Sequence, residues 1–509
     1  MTNSRKAKFK VYAQNQAYVF PPSVEDFVPE NHPVRVVNQV IEHINIDRLI
    51  ESYKGGGTSS YHPRMLLKVM VYAYLSNIYS SRKIEEALMQ NVFFMWLSGM
   101  NKPDHNTINR FRSDRLKDAL KSVFSQIVIL LAEQGILSLK EVYVDGTKIE
   151  ANANKYTFVW GGAIKTSRER IKQQLDELWA YAQRIAAEEM SDTQPLSYDQ
   201  IDAEKVKQTI EQIDQALKEK DIDPKKRQKL NYARKNWPKN LEKYDQQEEI
   251  MGGRKNFSKT DNDATFMRMK EDHMKNGQLK PGYNLQISTN NQFIVNYSIH
   301  QTSNDFNTLE SHIQEFTDQY HDMPHAVIAD AGYGSLENYE FLEQNHIDAY
   351  VKYPYFDKEQ NKAFSENPFL ADNLFYNEQK DCYYCPMGQC MSNVGKKIRV
   401  TDNGYEQDLT LYQAQNCQKC PLRGPCHKSK GNRCLQINKN LLRHKQKVRQ
   451  SLLSEEGIRH RKQRPHDTEP VFGNIKYNKK FKRFNLRGKD KVKIETGLLA
   501  IAHNLKKVA

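Results

Sequence analysis

Three acidic residues stand where carboxylates could do phosphate chemistry. Asp145 lies in Val142-Tyr143-Val144-Asp145-Gly146-Thr147-Lys148-Ile149, Asp330 closes Ala326-Val327-Ile328-Ala329, and Glu469 opens Glu469-Pro470-Val471-Phe472-Gly473-Asn474-Ile475-Lys476. The two aspartates follow apolar runs, where an isolated carboxylate is costly to bury. Phosphodiester chemistry needs cationic charge held against a crowded anion. Two Mg²⁺ (or Mn²⁺) ions about 3.5–4 Å apart bind both the attacking and the leaving oxygen, and such ions take carboxylates while keeping waters. Each acid also has a plain structural reading. Asp-Gly between strand-like runs is a strong hairpin signal, so Asp145 could be a turn residue. Asp330 could cap a turn beside Gly332, and Glu469 could be one surface acid among many.

A second constellation is cysteine. All seven cysteines fall between Cys382 and Cys434, in two CxxC pairs (Cys382 with Cys385, Cys417 with Cys420) followed or interleaved by Cys390, Cys426 and Cys434. Paired thiolates at that spacing supply two corners each of a zinc tetrahedron. The expected ligands of a structural Zn²⁺ are therefore Cys382, Cys385, Cys417 and Cys420, with Cys390, Cys426, Cys434 and His427 as substitutes. Disulfides are disfavoured, because no export signal is visible and the rest of the chain has no cysteine. Spare thiols are the bland alternative.

Charge is distributed unevenly. From Leu422 to Ala509 there are 24 Lys+Arg against 6 Asp+Glu, whereas the whole chain carries only +14. The C-terminal stretch thus holds all of the surplus. Such a stretch gives sequence-independent affinity for phosphates through counterion release; a merely solvated basic face is the rival.

These groups need elements to hold them. At 509 residues the chain is too long for one core and implies several domains. No apolar run approaches the roughly 20 residues of a membrane span, and the basic N-terminus has no apolar segment behind it, so neither signal peptide nor anchor is expected. Residues 1–139 read as helical: a run after His62-Pro63 with Met65, Leu66, Val69, Met70 and Ala73 on one face, a helix from Ser81 to Gln90, and a third from about Lys102 carrying Arg110 and Arg112. Short helices joined by turns resemble helix-turn-helix layouts and also plain helical packing. Residues 165–255 carry apolar positions stepping by 3 and 4 (Ile171, Leu175, Leu178, Ala182; Val206, Ile210, Ile213, Leu217), which predicts two helices pairing as a coiled-coil-like hairpin around a turn at Ser191–Tyr198. Strands around 142–149, 283–287, 293–299, 326–330 and 348–354, with intervening helices, predict a mixed α/β sheet whose first part is antiparallel. The core would be assembled from 140–164, 256–372 and 436–509, with the Cys-rich insertion at 373–435.

The motifs together resemble a known family. Phe27-Val28-Pro29-Glu30-Asn31-His32-Pro33-Val34-Arg35, Ser60-Tyr61-His62-Pro63, Ser80-Ser81-Arg82-Lys83-Ile84-Glu85-Glu86, Pro103-Asp104-His105-Asn106-Thr107-Ile108, Val144-Asp145-Gly146-Thr147-Lys148-Ile149-Glu150-Ala151-Asn152, Pro281-Gly282-Tyr283-Asn284, Ala329-Asp330-Ala331-Gly332-Tyr333 and the segment from Glu469 to Lys476 run in the order found in DDE transposases of insertion sequences. The resemblance implies an RNase H-like core and Asp145, Asp330 and Glu469 as the metal-binding triad. It also implies cleavage at element ends followed by strand transfer, recognition of terminal inverted repeats in double-stranded DNA by the N-terminal domain, attack on target DNA, and a homo-oligomer at synapsis. Action would be inside the cell, in the cytoplasm or on the nucleoid, away from membranes. Arg110, Arg112, Arg464, Lys476, Arg483 and Arg487 are the expected DNA contacts, although Arg464 and Lys476 also fit a plain basic face. Related elements often show Tyr-x2-Arg-x3-Glu at the third acid; here Arg464 precedes Glu469 by five and Arg461 replaces the tyrosine. Asp467 and Glu495 therefore compete for the third position. A non-catalytic zinc protein binding DNA, or a hydrolytic nuclease of the same fold, would share most of these features.

Overall fold

A computed structural model describes residues 22–53, 60–187, 201–269, 277–401 and 403–509. The chain divides into two compact units, one of residues 1–127 with 497–509 and one of residues 128–496.

Within the first unit, short helices run Pro33–His43, Asp47–Glu51, Pro63–Leu75, Ser81–Gln90, Val92–Ser98 and His105–Arg110. Two of them begin the same way. The Nδ1 of His32 accepts from the Val34 amide, and that of His62 from the Arg64 amide, each at 3.2 Å. The proline that follows each histidine occupies the first helical position, where its missing N–H costs nothing. The Pro63–Leu75 helix is the hub: Leu66, Leu67, Val69, Met70 and Tyr74 are all buried. The helix from His105 is capped by Asp104, which accepts from the Thr107 amide at 2.8 Å.

The second unit is built on a mixed sheet. Its main strands are β1 (Glu141–Glu150), β2 (Leu279–Asn290), β3 (Phe293–His300), β4 (Ala326–Ala329) and β5 (Asp348–Val351). Their spatial order is β3-β2-β1-β4-β5, and the short strand Thr265–Arg268 shares the outer edge of β2 with β3. The β1–β2 and β2–β3 pairs are antiparallel, while β1–β4 and β4–β5 are parallel. The sequence expectation of a mixed sheet with an antiparallel beginning is therefore met. The β2–β3 turn is Asn291-Gln292, with φ of 50° and 63°. Two central residues with positive φ match the right-handed twist of the flanking strands.

Asp145-Gly146 is not a hairpin turn. It lies inside β1, where Asp145 pairs with Ile287 and Gly146 with Gln286. Glycine is needed here for space. A Cβ at Gly146 would lie 2.3 Å from Gln286 Nε2, and Gln286 is fully buried and held by Tyr333, Asn284 and Asp305.

The insertion after β1 differs from a two-helix hairpin. Three helices, Gly161–Ile185, Ala203–Ala216 and Pro224–Met251, share one apolar cluster. Leu230, Ala233, Trp237 and Leu241 of the third helix pack with Leu175, Leu178, Ile210 and Ile213 of the other two. Those four residues sit in a strongly charged stretch, so their spacing of 3, 4 and 4 is easily passed over. The turn expected at Ser191–Tyr198 lies outside the described residues. The cysteine-rich segment forms a five-stranded antiparallel sheet, ordered Cys434–Ile437, Glu406–Ala414, Cys390–Val400, Cys382–Tyr384, Tyr376–Asn377. Tyr383, Met391, Tyr412, Leu435 and Ile437 make its small core.

Gly146→Ala should lower unfolding stability by about 1–3 kcal/mol, the usual cost of forcing atoms into a filled interior. Urea denaturation checks this; an unchanged midpoint would mean that Gln286 can turn aside freely.

Candidate active site

The strand register brings two of the acids together. Tyr143 of β1 is level with Ile328 of the parallel strand β4. Asp145 and Asp330 each lie two residues further on. Both therefore sit at one height on neighbouring chains, which run about 4.8 Å apart, and Asp330 is still in extended backbone at φ −83° and ψ −178°. The two side chains are held alike. Asp145 Oδ1 accepts from the Gly146 amide, and Asp330 Oδ1 from the Gly332 amide, both at 2.8 Å. Each Oδ2 then faces the same cation. Arg464 Nη2 lies 3.2 Å from Asp145 Oδ2 and 3.4 Å from Asp330 Oδ2.

Arg464 comes from the Glu455–Gly473 helix, which packs across β1 and β4. Four residues on, Thr468 Oγ1 lies 3.5 Å from Asp145 Oδ2, as the i, i+4 spacing of one helix face requires. Glu469 is the next residue, on the exposed side of the same helix. The helix is also anchored to the β2–β3 turn. Asp467 Oδ1 accepts from the Gln292 amide at 3.1 Å, and Gln292 Nε2 donates to the His466 carbonyl at 3.0 Å.

The rivals for the third acid are placed elsewhere. Glu495 is fully buried and accepts from the amides of Asn485 and Leu486 at 2.8 and 2.9 Å, so it fixes a loop. Asp467 is 1% exposed and turned towards Gln292 and Tyr143. Burial, with the charges of Glu141 and Asp467, pushes the Tyr143 phenol up to about 12.

A further carboxylate was not singled out by sequence. Asp305 Oδ1 accepts from Asn284 Nδ2 at 2.7 Å and Gln286 Nε2 at 2.8 Å. Burial pushes the Tyr333 hydroxyl well above its ordinary range, and the charges of Asp305, Asp145 and Asp330 add to this against Arg464. Tyr333 thus stays a donor, to Gln286 Oε1. The only sequence hint of Asp305 was its place just before a helix.

The expected DNA contacts fare unevenly. Arg110 is exposed. Arg112 is 3% exposed, and its Nη1 donates to the Tyr79 carbonyl at 2.6 Å; it is a packing residue, because its guanidinium replaces backbone donors inside the helical unit. Arg464 belongs to the aspartates, not to an open basic face. Lys476 is 8% exposed. Arg483 and Arg487 both hold the strand exit after β1, through the carbonyls of Ala151 at 3.2 Å and Asn152 at 2.8 Å.

The cysteines also regroup. Cys385, Cys417, Cys420 and Cys426 line one small cavity, with His427 and Arg433. Arg433 donates from its amide to Cys417 Sγ at 3.4 Å and from Nη1 to Cys426 Sγ at 3.1 Å. Cys382 is not in this group. It is buried beside Cys390, whose thiol pushes that of Cys382 up. On its strand Cys382 alternates to the opposite side from Tyr383, so the first residue of the CxxC pair is carried away from the cavity. Among the described residues, three metal-ligating side chains come within 4.8 Å of one another only at Glu141, Glu456 and His460. Arg459 already bridges those two glutamates, at 3.2 Å to each.

Two family models match the chain: one described as a transposase domain over residues 22–114, and one described as a transposase DDE domain over residues 384–509. These two matches support an insertion-sequence DDE transposase. The DDE-domain match contains Arg464, Glu469 and the cavity cysteines; Asp145 and Asp330 lie before it. No curated protein and no solved structure matches the chain. Among the described residues, no helix is long and apolar enough to cross a membrane.

Arg112→Ala should destabilise the fold by about 1–3 kcal/mol, through the buried acceptors left unpaired. Arg110→Ala should leave the melting temperature unchanged and weaken DNA binding. Thermal melts beside a gel-shift titration separate the two; equal effects of both changes on binding alone would contradict the assignment.

Proposed function

We propose that this transposase cleaves and rejoins DNA at a divalent-metal site made by Asp145, Asp330 and Glu469 on an RNase H-like core. The observation that carries the reading is the pair of aspartates level on adjacent parallel strands with one guanidinium between their Oδ2 atoms. The order β3-β2-β1-β4-β5, antiparallel then parallel, supports the reading of such a core. The donor set suits a hard cation: each aspartate keeps Oδ1 on a backbone amide and offers Oδ2. Glu469, one residue beyond Thr468, would complete the set from the helix.

Divalent cations held there would supply charge for both the attacking and the leaving oxygen of a phosphodiester. The protein's own part is positional. Gly146 and Gly332 amides fix the carboxylates, Gln286, packed on Gly146 and bonded to Tyr333, braces the backbone that carries them, and the Gln292–Asp467 contact anchors the helix. Arg110 and the basic C-terminal stretch would bind DNA, the N-terminal helices would read terminal inverted repeats, and synapsis would bring copies together. A hydrolytic nuclease of the same fold would use the same site without strand joining.

In the cysteine-rich sheet a structural Zn²⁺ would take Cys385, Cys417, Cys420 and Cys426. Zinc-bound sulfurs accept hydrogen bonds from amides and guanidinium groups, and the Cys417 and Cys426 sulfurs accept such bonds from Arg433. This replaces Cys382 of the spacing-based set by Cys426.

Asp145→Ala should abolish Mg²⁺-dependent cleavage of a donor carrying the element ends, by at least about 10³-fold, with DNA affinity intact. Normal cutting by that variant would end the assignment, and cutting without joined products by the native protein would favour the nuclease. Zinc content, measured by atomic emission, should fall on Cys426→Ser and stay on Cys382→Ser; the opposite pattern would restore the spacing-based set.

A further inference from the structure

We propose that Arg464 is the resident counter-ion of the carboxylate site, and that a divalent cation binds by displacing its guanidinium. The inference rests on the metal-site reading above and adds a competitor to it. Asp145 and Asp330 present Oδ2 atoms to one nitrogen of Arg464. Two close carboxylates repel unless a cation lies between them. In the metal-free protein that cation is the guanidinium, which keeps its charge at every physiological pH. Deprotonation does not remove a guanidinium charge in the physiological range, so displacement is what frees the oxygens.

Three observations indicate that Arg464 is held provisionally. A guanidinium placed for good against carboxylates usually engages them as a two-pronged fork; here the same Nη2 serves both aspartates. Its Nε is buried with no hydrogen-bond partner, so the position is set by charge more than by a complete set of acceptors. The site is also open on one side. The Asp330 side chain is 42% exposed, against 14% for Asp145 and 16% for Arg464. An arriving hydrated ion would meet Asp330 first and reach Asp145 as the arginine withdraws. Asp305 and Asp145, near Tyr333 with Asp330, leave the neighbourhood more negative than one arginine balances.

Competition of this kind lowers the apparent affinity for metal. The metal-competent state is only a fraction of the free protein, and the apparent Kd rises by the inverse of that fraction. The purified, DNA-free full chain is titrated with MnCl₂, and bound Mn²⁺ is read by electron paramagnetic resonance. Arg464→Gln should bind Mn²⁺ about tenfold more tightly than the native protein. Arg464→Lys, which keeps a charge but reaches less well across both carboxylates, should tighten it by a few-fold. The rise in melting temperature on adding Mn²⁺ should be larger in both variants. Unchanged or weaker Mn²⁺ binding in either folded variant would overturn the proposal. Asp145→Asn distinguishes the failures: it should remove the bound signal in every background. If Mn²⁺ binding persists in Asp145→Asn, the metal-site reading itself falls, whatever Arg464 does.

Discussion

The parallel register of β1 and β4 is the constraint on which the site depends. Tyr143 opposite Ile328 sets Asp145 and Asp330 level, and a shift of one residue would turn one carboxylate to the other face of the sheet. That register is secured on the far side of β1 as well. The β1–β2 ladder runs unbroken from Tyr143 to Glu150, and its tight point is Gly146 against Gln286. Because Gln286 also bonds Tyr333 and Asp305, the same close approach ties the backbone under Asp145 to the turn after Asp330. Local geometry at the acids is thus a property of the whole sheet.

The helix that supplies Arg464 answers to a different constraint. It lies 300 and more residues from β1 in sequence, so only tertiary anchors can fix its rotation. Asp467 on the β2–β3 turn and Thr468 against Asp145 do this from successive positions. His460 adds a third contact, with its ring nitrogen 3.1 Å from the Tyr143 hydroxyl. Burial holds the His460 imidazole below its ordinary range, which suits a neutral packing role beside Tyr143 and Tyr350.

Much of this was legible in the sequence, and the exceptions have physical causes. Apolar runs ending in Asp145 and Asp330 marked the strands, because burying a carboxylate there demands a reason. The Asp-Gly pair was ambiguous, since glycine serves tight turns and close strand approach equally well. In sequence Arg464 fits a DNA contact or a plain basic face, because Arg459, Arg461 and Lys462 surround it. Its pairing with aspartates far along the chain leaves no local trace. Spacing found the cysteine pairs but not that only Cys385 of the first pair faces the cavity, a matter of strand alternation around Tyr383. The third insertion helix was hidden by its charge.

The three-helix insertion has a consequence for the order of assembly. It has an apolar cluster of its own and lies between β1 and β2, which are neighbours in the sheet. At about 5–20 residues per second, a ribosome needs on the order of ten seconds to pass from one strand to the other. During that interval β1 waits with an open edge while the intervening bundle can already be compact. A nascent chain that shields β1 poorly would aggregate before Asp145 and Asp330 ever met.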